Sequence, residues 1–418
     1  MCARLDSQHS TASSSSGSSD SLFQDYEQLN NHERWWMERA DFLESRGYRL
    51  RPRFRPGWVP SWQKSGQNPF DFEDSRYHLT EGVMDATRLS DGRRVALKAV
   101  RRYDNEVKIA MMLSSPEALN DPMNHCVPIL DFFTDLSTRG PDFIVMPHLR
   151  AFNLPEFCTI SEVLDFVQQT LEGLLYMHRR RVAHRSCRDL TGANIMMDAR
   201  DLFPDGVHPD PLWSALLHDR FDVARSLRRI DVKTVKYYFI DFGISSYFDD
   251  PLEPRQVTGI DGRDQEVPEL DLKKPYDPFA VDVYTLGNTY RELFRQKYNN
   301  LDFLSPLVEQ MTERSPESRP TAEDALALFR KLSDQPGGAS AHRRLRPVKE
   351  PIIVHYICEL SSSLGAFLQT LQRAFSEFSS SAFLYSADSE ILFTSAPKHF
   401  ICLDSSWIIC DIAVSGQP

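Results

Sequence analysis

The 418-residue chain lacks closely spaced cysteine pairs: its seven cysteines, Cys2, Cys126, Cys158, Cys187, Cys358, Cys402 and Cys410, are odd in number and scattered, with no Cys-x-x-Cys. Neither a disulfide framework nor a zinc knuckle is signalled, and a reducing, intracellular setting (cytoplasm and/or nucleus) is expected. It also lacks any run of about 18 apolar residues, and its first residues are polar, so no membrane segment is expected. Positive charge is in deficit, with 48 Lys and Arg against 59 Asp and Glu and a net charge of -11. A general nucleic-acid partner, whose affinity would come from phosphate neutralisation, is therefore not expected. What remains, 41% hydrophobic and 26% charged residues, is the composition of a folded globular chain.

Residues 1–21 are Ser-rich and read as a disordered tail. Helical spacing follows between Tyr26 and Tyr48, with Leu29, Trp35, Trp36, Phe42 and Leu43 among charges. Arg51 to Trp62 carries Pro52, Pro56 and Pro60, too many for a helix or a central strand, and predicts an extended arm strapping its aromatic residues onto a domain surface. Residues 22–76 are accordingly read as an N-terminal extension. Val83 to Leu89, a Ser90-Asp91-Gly92 turn and the alternating Arg94 to Val100 predict a hairpin. Lys98 inside that apolar strand needs a partner, and Glu106, in the helix-like stretch to Leu113, is the candidate.

Phe143 to Leu149 is an apolar run interrupted by Pro147, a buried strand leading into a connector. Val163 to His178 has the periodicity of a buried helix, which delivers the chain to Asp189 and, five residues on, Asn194. That spacing suits phosphoryl transfer: a loop carboxylate to accept a hydroxyl proton, and a carboxamide oxygen one turn on to hold Mg²⁺. After Asp198 an insertion of about residues 199–234 is expected, with a short helix around Trp213 to Leu217. A strand, Lys236 to Ile240, then runs into Asp241-Phe242-Gly243, a candidate second metal-binding element. Residues 244–266 are polar, as a mobile segment should be. Val267-Pro268-Glu269, a helix containing Asp282, and Arg319-Pro320-Thr321 opening a last helix through Leu332 complete the pattern. His342 to Arg346 is a short basic cluster read as a solvated linker, and residues 336–418 form a tail without an assigned site.

The ordered set Lys98, Glu106, Asp189, Asn194, Asp241-Phe242-Gly243, Pro268-Glu269, Asp282 and Arg319 resembles the eukaryotic protein-kinase fold across roughly residues 77 to 335. The phrases Arg51 to Trp62, Val182 to Arg185, Asn194 to Asp198 and Tyr276 to Phe279 look like the protein-kinase-like family expanded in mushroom-forming fungi. The resemblance implies an α+β, two-lobed fold: a small β-rich N-lobe and hinge over 77–150 and a helical C-lobe over 151–335. It implies ATP and Mg²⁺ as cofactors. Asp189 would be the catalytic base, Lys98 the phosphate contact with Glu106 its partner, and Asn194 and Asp241 the metal ligands. Gly82 would approach the phosphates, and Met146, His148 and Leu149 would form the adenine hinge. Glu269 with Arg319, and Asp282 beneath the catalytic loop, would be structural.

The chain departs from that family's pattern at four places. No Gly-x-Gly-x-x-Gly precedes Lys98, and only Gly82 lies at a suitable distance. The His-Arg-Asp phrase is either Cys187-Arg188-Asp189 or His184-Arg185 separated from Asp189 by three residues. Thr191 stands where serine/threonine kinases carry a Lys, and only eight positions separate Lys98 from Glu106. The leading expectation is phosphoryl transfer to a protein hydroxyl, of serine/threonine type, on an unidentified protein substrate. A pseudokinase acting as a nucleotide-binding or scaffold module is the alternative, and a small-molecule phosphotransferase the third.

Overall fold

The computed structural model describes residues 26–351, apart from 137–139, 186–193, 211–212, 214, 218–221, 251, 253, 263 and 336–342 and the side chains of 64 and 65. The expected Ser-rich tail, Asp189 and Thr191, His342 of the basic cluster and residues 352–418 of the C-terminal tail lie outside the described residues. Arg343 to Arg346 correct the solvated-linker expectation, since Leu345 is buried and its amide donates to the Cys158 carbonyl at 2.8 Å. The architecture is α+β, and the named elements all fall in the unit Met1–Glu350.

Helices α1 (Asn31–Met37) and α2 (Ala40–Ser45) open it. A capping box starts α1: the Asn30 side chain accepts from the Glu33 amide, and Glu33 accepts from the Asn30 amide. Strands β1 (Tyr48–Arg49), β2 (Val83–Arg88), β3 (Arg94–Val100), β4 (Asp131–Thr134) and β5 (Asp142–Pro147) form one antiparallel sheet, ordered β1-β2-β3-β5-β4. Between β1 and β2 the chain makes helix α3 (Ser61–Ser65), and between β3 and β4 it makes α4 (Asn105–Leu113) and α5 (Pro116–Asn120).

Strand alternation divides the sheet's two faces. Met84, Ala86, Val95, Leu97, Phe143 and Val145 join Trp36, Leu43 and Phe54 in one buried cluster, so α1 and α2 cover that face. Trp36 packs on Phe143 with ring centroids 5.9 Å apart. The other face carries Asp85, Ala96, Lys98, Ile144 and Met146. The ladder sets Val83 opposite Lys98, Asp85 opposite Ala96, and Ala96 opposite Met146.

The arm after β1 is not simply extended, which corrects the sequence expectation. Pro52–Phe54 is a turn of 3₁₀ helix, and Pro60 caps α3. Proline's fixed φ suits a helix's first turn, where its missing N–H costs nothing. Trp62 and Phe54 are buried, and the Trp58 indole donates to Asp74 at 2.8 Å.

The remaining elements are β6 (Arg150–Ala151), α6 (Ile160–Arg179), β7 (Val182–Ala183), β8 (Ile195–Met197), β9 (Tyr237–Phe239), β10 (Ser246–Tyr247), β11 (Val257–Gly259), β12 (Asp271–Tyr276), α7 (Pro278–Tyr290), α8 (Ser305–Met311) and α9 (Ala322–Ser333). A capping box of Thr159 and Glu162 starts α6. Its Val163, Phe166, Val167, Leu171 and Leu174 are buried with Tyr290 and Phe294 in a second, larger core. Each such side chain taken from water contributes about 1.5–3 kcal/mol. Gly173 lets β9 come close: a Cβ there would lie 2.8 Å from both Phe239 and His125.

In the insertion, the helix expected around Trp213 to Leu217 is confined, among the described residues, to 3₁₀ helix at Trp213, whose amide donates to the Asp210 carbonyl at 3.1 Å, and an antiparallel bridge then joins Leu216 to Val223. Amide bonds from Leu217 to Asp222 and from Ala224 to Ala215 satisfy the backbone where Leu217 and Ala224 are buried.

Candidate active site

Lys98 is fixed on the central strand β3, and the Asp104 side chain accepts from the Glu106 amide at 3.1 Å, starting α4 two residues before Glu106. A tight turn over Arg101–Asp104, with Tyr103 at φ 63°, makes the eight-residue link sufficient. The Lys98 ammonium contacts Glu106 and lies 2.8 Å from Oδ1 of Asp241. Side-chain exposure grades across the cluster, 8% for Glu106, 19% for Lys98 and 48% for Asp241. Burial would lower the Lys98 pKa, but the two carboxylates outweigh it and raise it. Burial raises Glu106 above its usual range despite Lys98. For Asp241 burial is outweighed by Lys98, and the carboxyl is held below its usual range.

Asp241 sits at φ 64°, a conformation uncommon for a residue with a side chain. Gly243 follows, and its amide donates to Asp241 Oδ1 at 3.3 Å. A Cβ on Gly243 would come within 3.2 Å of that oxygen and 3.4 Å of Glu106 Oε2, so glycine permits the close approach. Phe242 is buried against the His184 ring, centroids 5.3 Å apart.

One buried carboxylate, Asp282 on α7, anchors the backbone just ahead of residue 186. Its oxygens accept from the His184 amide at 2.7 Å, the Arg185 amide at 2.6 Å and the His178 ring at 3.0 Å. The His184 Nε2 faces the Ile240 carbonyl at 3.0 Å, and burial holds the imidazole pKa below its ordinary value, so a neutral ring donates there. Arg185 reaches the Ile244 carbonyl at 3.2 Å and the Tyr276 hydroxyl at 3.4 Å. Asn194 is buried, and its carbonyl accepts from the Ile240 amide at 3.0 Å. The β8–β9 ladder, with Ile195 opposite Phe239, is what brings Asn194 beside the residue preceding Asp241.

The other expected site residues are dispersed around this cluster. Gly82, φ 71°, accepts from the Ala99 amide at 2.8 Å at the start of the hairpin. Met146 shares a strand face with Lys98 through Ala96. Leu149 is buried in the larger core, and the His148 Nε2 is bonded to the Pro209 carbonyl of the insertion at 2.9 Å. Asp189 lies outside the described residues. Glu269 and Arg319 form a two-pronged ion pair at 2.5 and 2.8 Å, and Arg319 also donates to the Glu313 and Ala280 carbonyls.

Sequence reasoning missed a buried polar group on the Lys98-bearing side of β2. Arg51 Nε donates to both Asp85 oxygens at 3.0 Å, and Arg51 also pairs with Glu73 at 2.7 Å. These residues have no common spacing. The one available signal was Asp85 itself, a charge within a strand otherwise expected to be buried.

No family model matches the chain. Among curated proteins it is similar to mitogen-activated protein kinase kinase kinase 5 of Arabidopsis thaliana, 24% identical over 276 residues. That match covers 58% of this chain and 32% of that protein. The similarity is to a protein kinase. It is distant, and the chain spans about a third of its relative's length. Among the described residues no helix is long and apolar enough to cross a membrane.

Proposed function

We propose that the chain is a two-lobed, protein-kinase-like phosphotransferase using ATP and Mg²⁺ to modify a protein hydroxyl. The observation that carries the reading is the Lys98 ammonium shared by Glu106 and Asp241, with the Asn194 carbonyl bonded to the amide of Ile240, the residue before Asp241. The donor set suits Mg²⁺, a hard cation that takes oxygen ligands: a half-exposed carboxylate from Asp241 and a carboxamide oxygen from Asn194. When bound, ATP supplies the transferable phosphoryl group and Mg²⁺ offsets its charge.

The chain's own residues do the rest by positioning and charge. Lys98, held by Glu106, presents a fixed positive charge to phosphate oxygens. Asp189 accepts the proton of the attacking hydroxyl. Asp282, by fixing the amides of His184 and Arg185, sets where the loop carrying Asp189 begins. The Glu269–Arg319 pair supports a protein acceptor over a small molecule, because it ties down the end of the segment that resembles a protein kinase's substrate-facing segment.

A pseudokinase is the second reading, and one observation favours it. The Asp282 anchor holds His184-Arg185, and the residue directly following is Ser186, so Asp189 is reached only three residues later. The deciding experiment is Mg²⁺-dependent ATP turnover on a mixed protein substrate, with Asp189→Asn as the control. Turnover lost in that variant supports the kinase. ATP raising the melting temperature without turnover supports the nucleotide-binding pseudokinase, and turnover surviving in the variant removes Asp189 as the base.

A further inference from the structure

Two stretches outside the Lys98 cluster meet each other: the β1–β2 connection and the insertion after β8. Arg76 donates to the Leu217 carbonyl at 2.8 Å, and the Trp213 indole donates to the Tyr77 carbonyl at 3.1 Å. His78 contacts Asp210 through Nδ1 and lies 2.6 Å from the Val83 carbonyl through Nε2. The seam thus runs from the insertion to the first residue of β2, which stands opposite Lys98.

The His78 ring decides the seam's character. Both of its nitrogens face oxygens that can only accept, a carboxylate and a carbonyl, and the residue is buried. A neutral imidazole has one N–H and would turn a lone pair onto one of those oxygens, so the geometry calls for the doubly protonated ring. We propose that this seam is a protonation-set latch: the His78 imidazolium ties the insertion, through Asp210, to the start of β2, and loss of one ring proton to water releases it.

The charged groups facing His78 are consistent with a cation. Asp210 comes from the insertion, and Asp85 from β2 with Arg51 as its partner. From α1, Glu33 accepts from the His78 amide at 2.8 Å and is paired with Arg53. Burial would lower the His78 pKa, and Asp210 outweighs it, raising it above the ordinary 6.5. For the half-buried His125 and His148 and the buried His184 and His208, by contrast, desolvation wins and the pKa is lowered. With a raised folded-state pKa, the latch is fully closed below about 6.5 and weakens as pH rises through the raised value.

The test is amide hydrogen exchange of the full chain from below pH 6.5 to alkaline pH, corrected for intrinsic rates, together with ¹⁵N shifts of the His78 ring. The amides of Leu216, Leu217 and Ala224 report the insertion, and those of Leu171 and Leu174 in α6 serve as the internal reference. Expected is a fall in insertion protection of roughly tenfold or more as the ring titrates, with α6 unchanged. His78→Gln should show low, pH-independent protection of the insertion. Insertion protection that does not change with pH, or a His78 ring already mostly neutral at pH 6.5, overturns the proposal. The ring measurement needs no variant, so it decides the matter even if His78→Gln does not fold. None of these readouts depends on nucleotide or turnover, so failure here is separable from failure of the phosphotransferase reading.

Discussion

Arg53 and Lys98 are both cations held by carboxylates, and their surroundings set them to different uses. Arg53 and its partner Glu33 have no exposed side-chain surface. The Arg53 guanidinium is filled by Glu33 and by the carbonyls of Tyr26, Gln28 and Asp74, at 2.8–3.2 Å. Glu33 in turn accepts from the Asn30 and His78 amides, so both partners are satisfied from within the fold. Lys98 is shared by two carboxylates, one of them half exposed, and that arrangement leaves one acid group, Asp241, facing solvent where a cation-bearing ligand could arrive. Complete satisfaction makes a strap; surplus charge at an open edge makes a candidate site.

The comparison can be broken hardest at its buried end. Arg53→Ala leaves Glu33 buried without its cation and should lower the unfolding free energy by about 3–5 kcal/mol, read by urea denaturation. The double replacement Glu33→Leu with Arg53→Met should recover most of that loss, since it removes both charges. Recovery in the double variant is what distinguishes an unpaired charge from lost packing.

The next effect is acid-dependent. Burial works to raise the Glu73 carboxyl, and the His208 hydrogen bond and Arg51 overcome it, bringing the pKa from 4.5 down to about 2. A depressed folded-state value contributes stability above the ordinary pKa and loses it as pH falls toward the folded one. The wild type should therefore lose on the order of 2 kcal/mol from this group between pH 4.5 and 2. Glu73→Gln should flatten that part of the stability profile, and an unchanged acid limb would remove Glu73 from the account.

Lys98→Met sharpens the contrast from the other side. It should cost about 1–3 kcal/mol, less than Arg53→Ala, because Asp241 is half exposed and the buried Glu106, already raised by burial, can take up a proton, yet it should abolish the ATP turnover proposed for the chain. A loss as large as that of Arg53→Ala would make Lys98 structural too. Smallest of all, Arg228→Ala, which breaks an exposed pair with Asp231 at 2.8 Å, should change the melting temperature barely at all, within about 0.5 kcal/mol in stability.

The hairpin was legible because the apolar alternation of Val95 and Leu97 needs only neighbouring residues to be seen. The same holds for α6, whose Val163, Phe166, Val167, Leu171 and Leu174 recur at helical spacing, and for Asp241-Phe242-Gly243 after a β-rich run. The short helix expected from Trp213 to Leu217 is 3₁₀ at Trp213 and does not reach Leu217, because the backbone from Ala215 to Leu217 finds partners in residues 222–224, a pairing that local propensity does not report.

What the sequence determined by itself was therefore local: periodicity chose the helices and strands, and ordered motifs chose Lys98, Glu106, Asn194 and Asp241 as residues to watch. What only the tertiary structure decided was which charges meet. His78 and Asp210 are 132 positions apart, and Lys98 and Asp241 are 143 apart. The physical reason is that a charge's partner is fixed by folding distance and burial, neither of which leaves a period in the chain, whereas an apolar face leaves one with every turn or pleat.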